Sequence, residues 1–174
     1  ILLLTLFIPA GTDMGDYEIT VTATDGASNQ GTGFFTISVS TPGVTIVDNP
    51  EADFGVCSWT CWPDAGSYPD GDGQACYHEK NQGCSATWTP DLPEAGDYNV
   101  YAWFPAYPNW ATDAKYVIYY DGGVSDPIEL NQEQAANGGR WNHLGNFAFA
   151  AGTSGYVVLS DDADQYVVAD AIKF

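Results

Sequence analysis

The sequence predicts an all-β chain: an antiparallel, jelly-roll-like β-sandwich preceded by a shorter partial sheet. Three observations predict it. Short runs that alternate apolar and polar residues recur along the chain, as strands with one buried face require. Turn residues separate those runs, drawn from 19 Gly, 10 Pro and many Asp and Asn. No window carries a sustained 3.6-residue apolar repeat between helix caps. Of the 174 residues, 45% are hydrophobic, which is enough for a packed core.

The run Ser40-Thr41-Pro42-Gly43 marks a boundary, because Pro and Gly interrupt strand pairing. Before it, strands are expected over 2–8, 17–24 and 34–39. The first is continuously apolar, and the other two alternate on either side of the turn at Asp25-Gly26. Gly15 and Tyr17 at the start of one strand, with Asp25-Gly26 at its end, resemble the last three strands of bacterial immunoglobulin-like repeats. The resemblance implies that residues 1–42 form a partial immunoglobulin-like segment. A complete sandwich of that kind needs about seven strands, so three cannot cover their own apolar face. The cover must come from chain upstream, from the second domain or from another copy by strand addition. Leu2, Leu4 and Leu6 are therefore candidates for an assembly strand. Together with the missing initiator Met, they make the chain look like a piece of a longer or processed precursor.

Residues 43–174 form the second segment. Nine short strands are expected there, over 44–47, 56–59, 85–88, 98–104, 116–120, 128–131, 141–149, 156–160 and 166–174. Turns at Gly96-Asp97, Asp121-Gly122, Gly138-Gly139 and Asp161-Asp162 separate several of them.

All four cysteines, Cys57, Cys61, Cys76 and Cys84, fall in one Gly-, Pro- and Asp-rich stretch. Zinc sites favour tight cysteine pairs, and neither spacing here is tight. Two disulfides are the better reading, and they imply an oxidising, secreted or cell-surface setting. If the chain from Cys57 to Cys61 is extended, their Cα atoms lie roughly 13 Å apart at about 3.3 Å per residue. A disulfide needs less than about 7 Å. Each should therefore pair with Cys76 or Cys84. The nested pattern, Cys57 with Cys84 and Cys61 with Cys76, is favoured, but spacing alone leaves the crossed pattern open.

The formal charge is −19, from 23 acidic and 4 basic residues. Nucleic-acid binding rests on Lys and Arg neutralising phosphates, so no nucleic-acid partner is expected. Anionic membranes are disfavoured for the same reason. The opening apolar run is too short to span a bilayer, so membrane insertion is not expected either. Divalent cations are attracted. Asp70 and Asp72, in Asp70-Gly71-Asp72-Gly73, have the look of part of a calcium loop, although an acidic turn explains them as well. Asp170 shares strand parity with Val168, Ile172 and Phe174. If that face is the core, its buried carboxylate needs a partner. A structural calcium between the first and last strands would supply one, with Asp48 as a second ligand. Alternatively, Val167, Ala169 and Ala171 face inward and Asp170 faces water, or backbone N–H groups satisfy its carboxylate.

No chemistry for catalysis stands out. The two histidines, His78 and His143, accompany no Gly-x-Ser-x-Gly elbow, and no motif singles out a carboxylate pair among the 23 acids. No organic cofactor is implied. Aromatic residues are the better lead. Tyr107 and Trp110 lie in a Pro-rich segment, and Trp62 and Tyr68 lie in the cysteine stretch. Planar rings stack on the apolar faces of sugars, but they also serve protein–protein contacts and cores. Trp88, Trp103 and Trp141 are read as core.

Residues Trp88, Pro90, Pro93, Gly96 and Tyr98, then Trp103 and Pro105, then Asn131-Gln132, Gly139, Trp141, Leu144-Gly145 and finally Val168-Ala169-Asp170-Ala171 resemble the golvesin/xanthan-lyase carbohydrate-binding-like domain. The resemblance covers about residues 44–174 and departs from the pattern in the cysteine stretch. It implies a β-sandwich without a catalytic role, carried by larger secreted proteins. The functional expectation is a binding or adhesion module whose partner is carbohydrate or cell-surface polymer. The alternative is a structural subunit of an extracellular filament or surface layer that binds copies of itself, a homo-polymer joined through the apolar N-terminal strand by strand complementation.

Overall fold

A computed structural model describes residues 15–24, 30–39, 43–64 and 66–174; for 15–24 and 33–39 it describes the backbone. The chain divides into two compact units, Ile1–Thr41 and Pro42–Phe174. In the first, β1 (Gly15–Thr24) and β2 (Gln30–Val39) form an antiparallel pair from Gly15 opposite Val39 to Thr24 opposite Gln30. The expected strand over 2–8, with its assembly residues Leu2, Leu4 and Leu6, lies outside the described residues.

The second unit contains β3 (Ile46–Val47), β4 (Thr60–Pro63), β5 (Gln74–His78), β6 (Ser85–Trp88), β7 (Gly96–Trp103) and β8 (Ala114–Tyr120). These are followed by β9 (Gly123–Val124), β10 (Ile128–Leu130), β11 (Asn142–Phe149), β12 (Tyr156–Ser160), β13 (Val167–Ala169) and β14 (Ala171–Lys173). One sheet has the order β10-β8-β12-β6, with β9 paired to β8, and a second has the order β11-β7-β14-β3. A third, small sheet runs β13-β5-β4. Every pairing is antiparallel.

The two larger sheets share one core. Trp88, Tyr116, Ile118, Val157 and Leu159 from the first meet Tyr98, Val100, Ala102, Phe149 and Ile172 from the second. Along β6, β7, β8 and β12 every second side chain is buried, as the pleat requires of a sheet with one wet face. Gln132 is completely buried and substitutes for a strand neighbour. Its Nε2 donates to the Val168 carbonyl at 2.7 Å and to the Tyr116 hydroxyl at 3.0 Å, and its Oε1 accepts from the Val168 N–H at 2.9 Å.

Several expected strands take a different form. Residues 56–59 are not a strand: Val56 is fully exposed, and the strand begins only at Thr60. The first strand shortens to two residues, with Val44 exposed. The single strand expected over 166–174 is two. β13 pairs with β5 and β14 pairs with β7 and β3, so the chain crosses from the small sheet to a large one at Asp170. The parity argument fails there because both residue sets, Val168 with Ile172 and Val167 with Ala169 and Ala171, are buried.

Candidate functional site

Both disulfides are present and nested: Cys57 bonds Cys84, and Cys61 bonds Cys76. The second joins residues directly opposite each other on β4 and β5. Trp62 follows one cysteine and Tyr77 the other, so the bridge fixes where those two rings emerge. The Cys57 and Cys84 sulfurs lie near His78, but bonded sulfurs offer no thiolate to a metal.

Trp62 and Tyr77 stand against the segment after β7. That segment is tied down because the Ala111 N–H donates to the Tyr166 carbonyl at 2.7 Å. Trp110 lies between them, with ring centroids 5.4 Å from Trp62, 5.5 Å from Tyr77 and 5.8 Å from Tyr107. Tyr166 meets Tyr77 edge-on at 5.8 Å. These five rings, with Thr60, Asp64 and Asn109, line an open groove of about 490 Å³. Asp64 is fixed there by the Gly66 N–H at 2.7 Å and the Trp62 indole N–H at 3.2 Å. The groove thus presents apolar ring faces beside one fixed carboxylate and the polar side chains of Thr60 and Asn109, a make-up that suits a small-molecule or sugar site.

The expected aromatic contacts divide. Tyr107 is 56% exposed and forms the outer wall. Trp110, expected at the surface, is only 7% exposed, because Trp62, Tyr77 and Tyr107 enclose it; it is the floor of the groove. Tyr68 does not belong to the groove. Its ring packs on Trp103 at 5.8 Å and Trp141 at 5.3 Å. Trp103 and Trp141, expected in the core, are partly exposed on the outer face of the β11-β7-β14-β3 sheet, with the Lys173 ammonium 4.6 Å from the Trp141 ring centroid. Tyr77 and Tyr166 complete the groove. Tyr166 precedes β13 in a segment that reads as core strand, so only the fold reveals it.

The expected metal ligands converge in part. Asp170, at the crossover, is 1% exposed, and both its oxygens accept from the Tyr68 N–H, at 3.1 and 3.3 Å. Burial pushes its carboxyl up to about 8. The Tyr68 N–H opposes that rise, while the charges of Asp48 and Asp72 and a hydrogen-bonding approach by Asp48 add to it. Asp48 is also buried, and burial is the main cause that holds its carboxyl above the usual range. Its Oδ2 accepts from the Asp72 N–H at 2.8 Å, but its Oδ1 is buried with no donor. Ser67 Oγ, next to Tyr68, is likewise buried without a partner. Gly71 is required here: a Cβ would lie 2.1 Å from Asp48 Oδ2. Asp70 and Asp72 are exposed at the mouth of a cleft of about 370 Å³ that leads to Asp48, and both Asp72 oxygens accept from Gln74.

Neither histidine faces a nucleophile. His78 Nδ1 lies 2.8 Å from the Glu79 carbonyl and 3.5 Å from Asp161 Oδ2. His143 packs against Tyr101 with ring centroids 4.9 Å apart and planes tilted by 50°, and its Nε2 lies 3.3 Å from Asn99 Oδ1. No helix among the described residues is long and apolar enough to cross a membrane.

Comparison with known proteins places the fold and the family. A xanthan lyase from Bacillus sp. (strain GL1) is 39% identical over 136 residues, covering 74% of this chain and 14% of that protein. The structure of Paenibacillus xanthan lyase superposes with a TM-score of 0.68 and 31% identity, over 80% of this chain and 14% of that one. A family 35 carbohydrate-binding module from Clostridium thermocellum shares the fold at a TM-score of 0.52 and 17% identity, over 73% of this chain and 95% of that module. The chain thus spans about one seventh of the xanthan lyases it resembles. The pattern of the Golvesin C-terminal domain family matches residues 45–174, and the chain belongs to that family.

Proposed function

We propose that this chain is a non-catalytic module that holds a larger secreted protein against carbohydrate, with a glycan lying in the groove of Trp62, Tyr77, Tyr107, Trp110 and Tyr166. One observation carries the reading: five rings brought together from three separate stretches of chain line one open groove. Such faces match the C–H faces of pyranose rings, and Thr60, Asp64 and Asn109 are placed to meet hydroxyls. The likeness of the fold to a carbohydrate-binding module supports it. The test is affinity electrophoresis of the chain through gels containing a panel of polysaccharides. At least one should retard it, and Tyr107→Ala combined with Tyr166→Ala should abolish the retardation. A panel that retards nothing removes the reading.

A structural cation belongs to the same reading. Asp48 and Asp170 bring two buried carboxyls together, and the unpartnered Asp48 Oδ1 and Ser67 Oγ lack the hydrogen bonds that buried oxygens normally make. An all-oxygen set of this kind suits calcium. Asp48, Asp170 and the Ser67 hydroxyl would hold it, and its charge would let both carboxyls ionise inside the protein. Assembly into filaments has no comparable support among the described residues.

A further inference from the structure

The groove does not end at its rings. Thr60, Tyr77 and Tyr166 also form one side of a second bay of about 540 Å³, lined beyond them by Ser58, His78, Glu79 and Gln82. The two bays adjoin along Thr60, Tyr77 and Tyr166, and together they make a two-part trough with an aromatic half on one side of those residues and a polar half on the other. A single sugar stacked on the rings leaves the polar half unused, whereas a chain of two or more sugars fills both.

The charge of this trough is one-sided. It carries the carboxylates of Asp64 and Glu79 and no lysine or arginine. All four basic residues are committed or placed elsewhere. Lys115 Nζ bonds Asp162 Oδ2 at 3.0 Å, Lys80 Nζ donates to the Asp164 carbonyl, and Lys173 Nζ lies 4.2 Å over the Tyr101 ring. Arg140 lies in the turn before β11. His78 turns Nδ1 toward the Glu79 carbonyl and Asp161. Sites that recognise carboxylates do so with arginine forks or lysine charges, and this trough has neither. The surrounding charge of −19 strengthens the bias.

We propose that the trough binds an uncharged polysaccharide chain, at least two sugars long, and discriminates against acidic polysaccharides. This rests on the glycan-binding reading above and names the class of glycan. The acidic side chains act as hydrogen-bond acceptors for sugar hydroxyls. A uronate or carboxylated substituent placed beside Asp64 or Glu79 meets like charge across a Debye length of about 10 Å at 0.1 M salt.

The experiment uses matched pairs: xanthan, alginate and pectin, each beside its carboxyl-reduced, uncharged product, with affinity electrophoresis and calorimetry as readouts. In every pair that binds, the reduced member should bind at least tenfold more tightly in 0.1 M salt. Raising salt to 1 M, where the Debye length is about 3 Å, should narrow the gap by strengthening only the acidic member. Glu79→Gln, at an exposed position, should narrow it at low salt without lowering the melting temperature. An acidic member that binds as tightly as its reduced partner, or more tightly, overturns the selectivity but leaves the groove as a glycan site. Binding by no member of any pair overturns both. Short oligosaccharides separate length from charge: a disaccharide that binds no better than its monosaccharide overturns the two-bay assignment.

Discussion

The sandwich and the cysteine-bridged segment, residues 57–84, are held together by different physics. In β7, β8 and β12, alternate side chains enter a shared core, and the strands would lose that burial only by unfolding as a unit. In the bridged segment β4 has almost no buried side chain, β5 contributes little more than Ala75 to the core with Trp62 and Tyr77 packed at its edge, and two disulfides supplement that thin burial. The lesson is a division of labour. Burial builds a rigid platform, and covalent bonds shape a surface that could not hold its rings in place by burial alone.

The largest effect expected of a single substitution strikes the platform. Trp88 is 1% exposed and its indole N–H donates to the Asp170 carbonyl at 3.0 Å. Trp88→Ala should cost about 3–5 kcal/mol through cavity formation and the stranded carbonyl. Urea denaturation should show one cooperative transition at much lower denaturant, with the groove lost alongside the core. A cost below about 1 kcal/mol would mean that the two sheets do not share one core.

Removing the bridges should separate the two regions. Loops of 15 and 27 residues are closed by Cys61–Cys76 and Cys57–Cys84. Loop-closure entropy puts each bond at roughly 3–3.5 kcal/mol. A chain with all four cysteines changed to alanine should melt lower and lose glycan retardation, yet keep hydrogen-exchange protection at Val100, Ile118 and Val157. Uniform loss of protection would show that the bridges support the platform too, which breaks the comparison.

The proposed cation offers a sharper probe, because the ligands proposed for it would link the platform to the segment. Asp170 sits at the crossover between β13 and β14, and Tyr68 lies in the bridged segment. Calcium at a hundredfold excess over its dissociation constant should stabilise by about 2.7 kcal/mol, read as a rise in melting temperature that chelator reverses. Asp48→Asn and Gly71→Ala should each remove the calcium response. A melting temperature indifferent to both calcium and chelator would leave the two buried carboxyls to share a proton instead.

How much of this was legible depends on which physics holds each part. β7, β8 and β12 are readable because a pleat with one wet face writes its period into the sequence. The resemblance reached the family through residues of that platform. β4 and β5 carry no such period, since their places are set by cysteines and by rings that touch across the chain. Reach alone ruled out a bond between Cys57 and Cys61 and left the nested and crossed patterns open until the structure showed the nested one, whereas the fates of individual rings were not readable at all. Trp110 read as surface and became floor, Trp103 and Trp141 read as core and became outer face, and Tyr68 left the cluster to hold Asp170. A ring buries wherever neighbours from distant sequence enclose it, and local pattern carries no record of those neighbours. Asp170 stood out as a buried-carboxylate candidate, but the switch of sheets at that residue is a property of β5, β7 and β3, which pull the two halves of one run in different directions.

The smallest expected effect on stability carries the most information about function. Tyr107 is 56% exposed, and its one ring contact among the described residues is with Trp110. Tyr107→Ala should therefore change stability by no more than about 0.5 kcal/mol, as surface substitutions usually do. The same change removes a stacking face from the outer wall of the groove, so glycan affinity should fall at least tenfold, about 1.4 kcal/mol. Tyr107→Phe should retain most of the affinity, because stacking needs the ring and not the hydroxyl. Intact stability with lost affinity would show that this wall exists to meet a ligand. Lost stability with intact affinity would return Tyr107 to the platform and move the binding surface elsewhere on the domain.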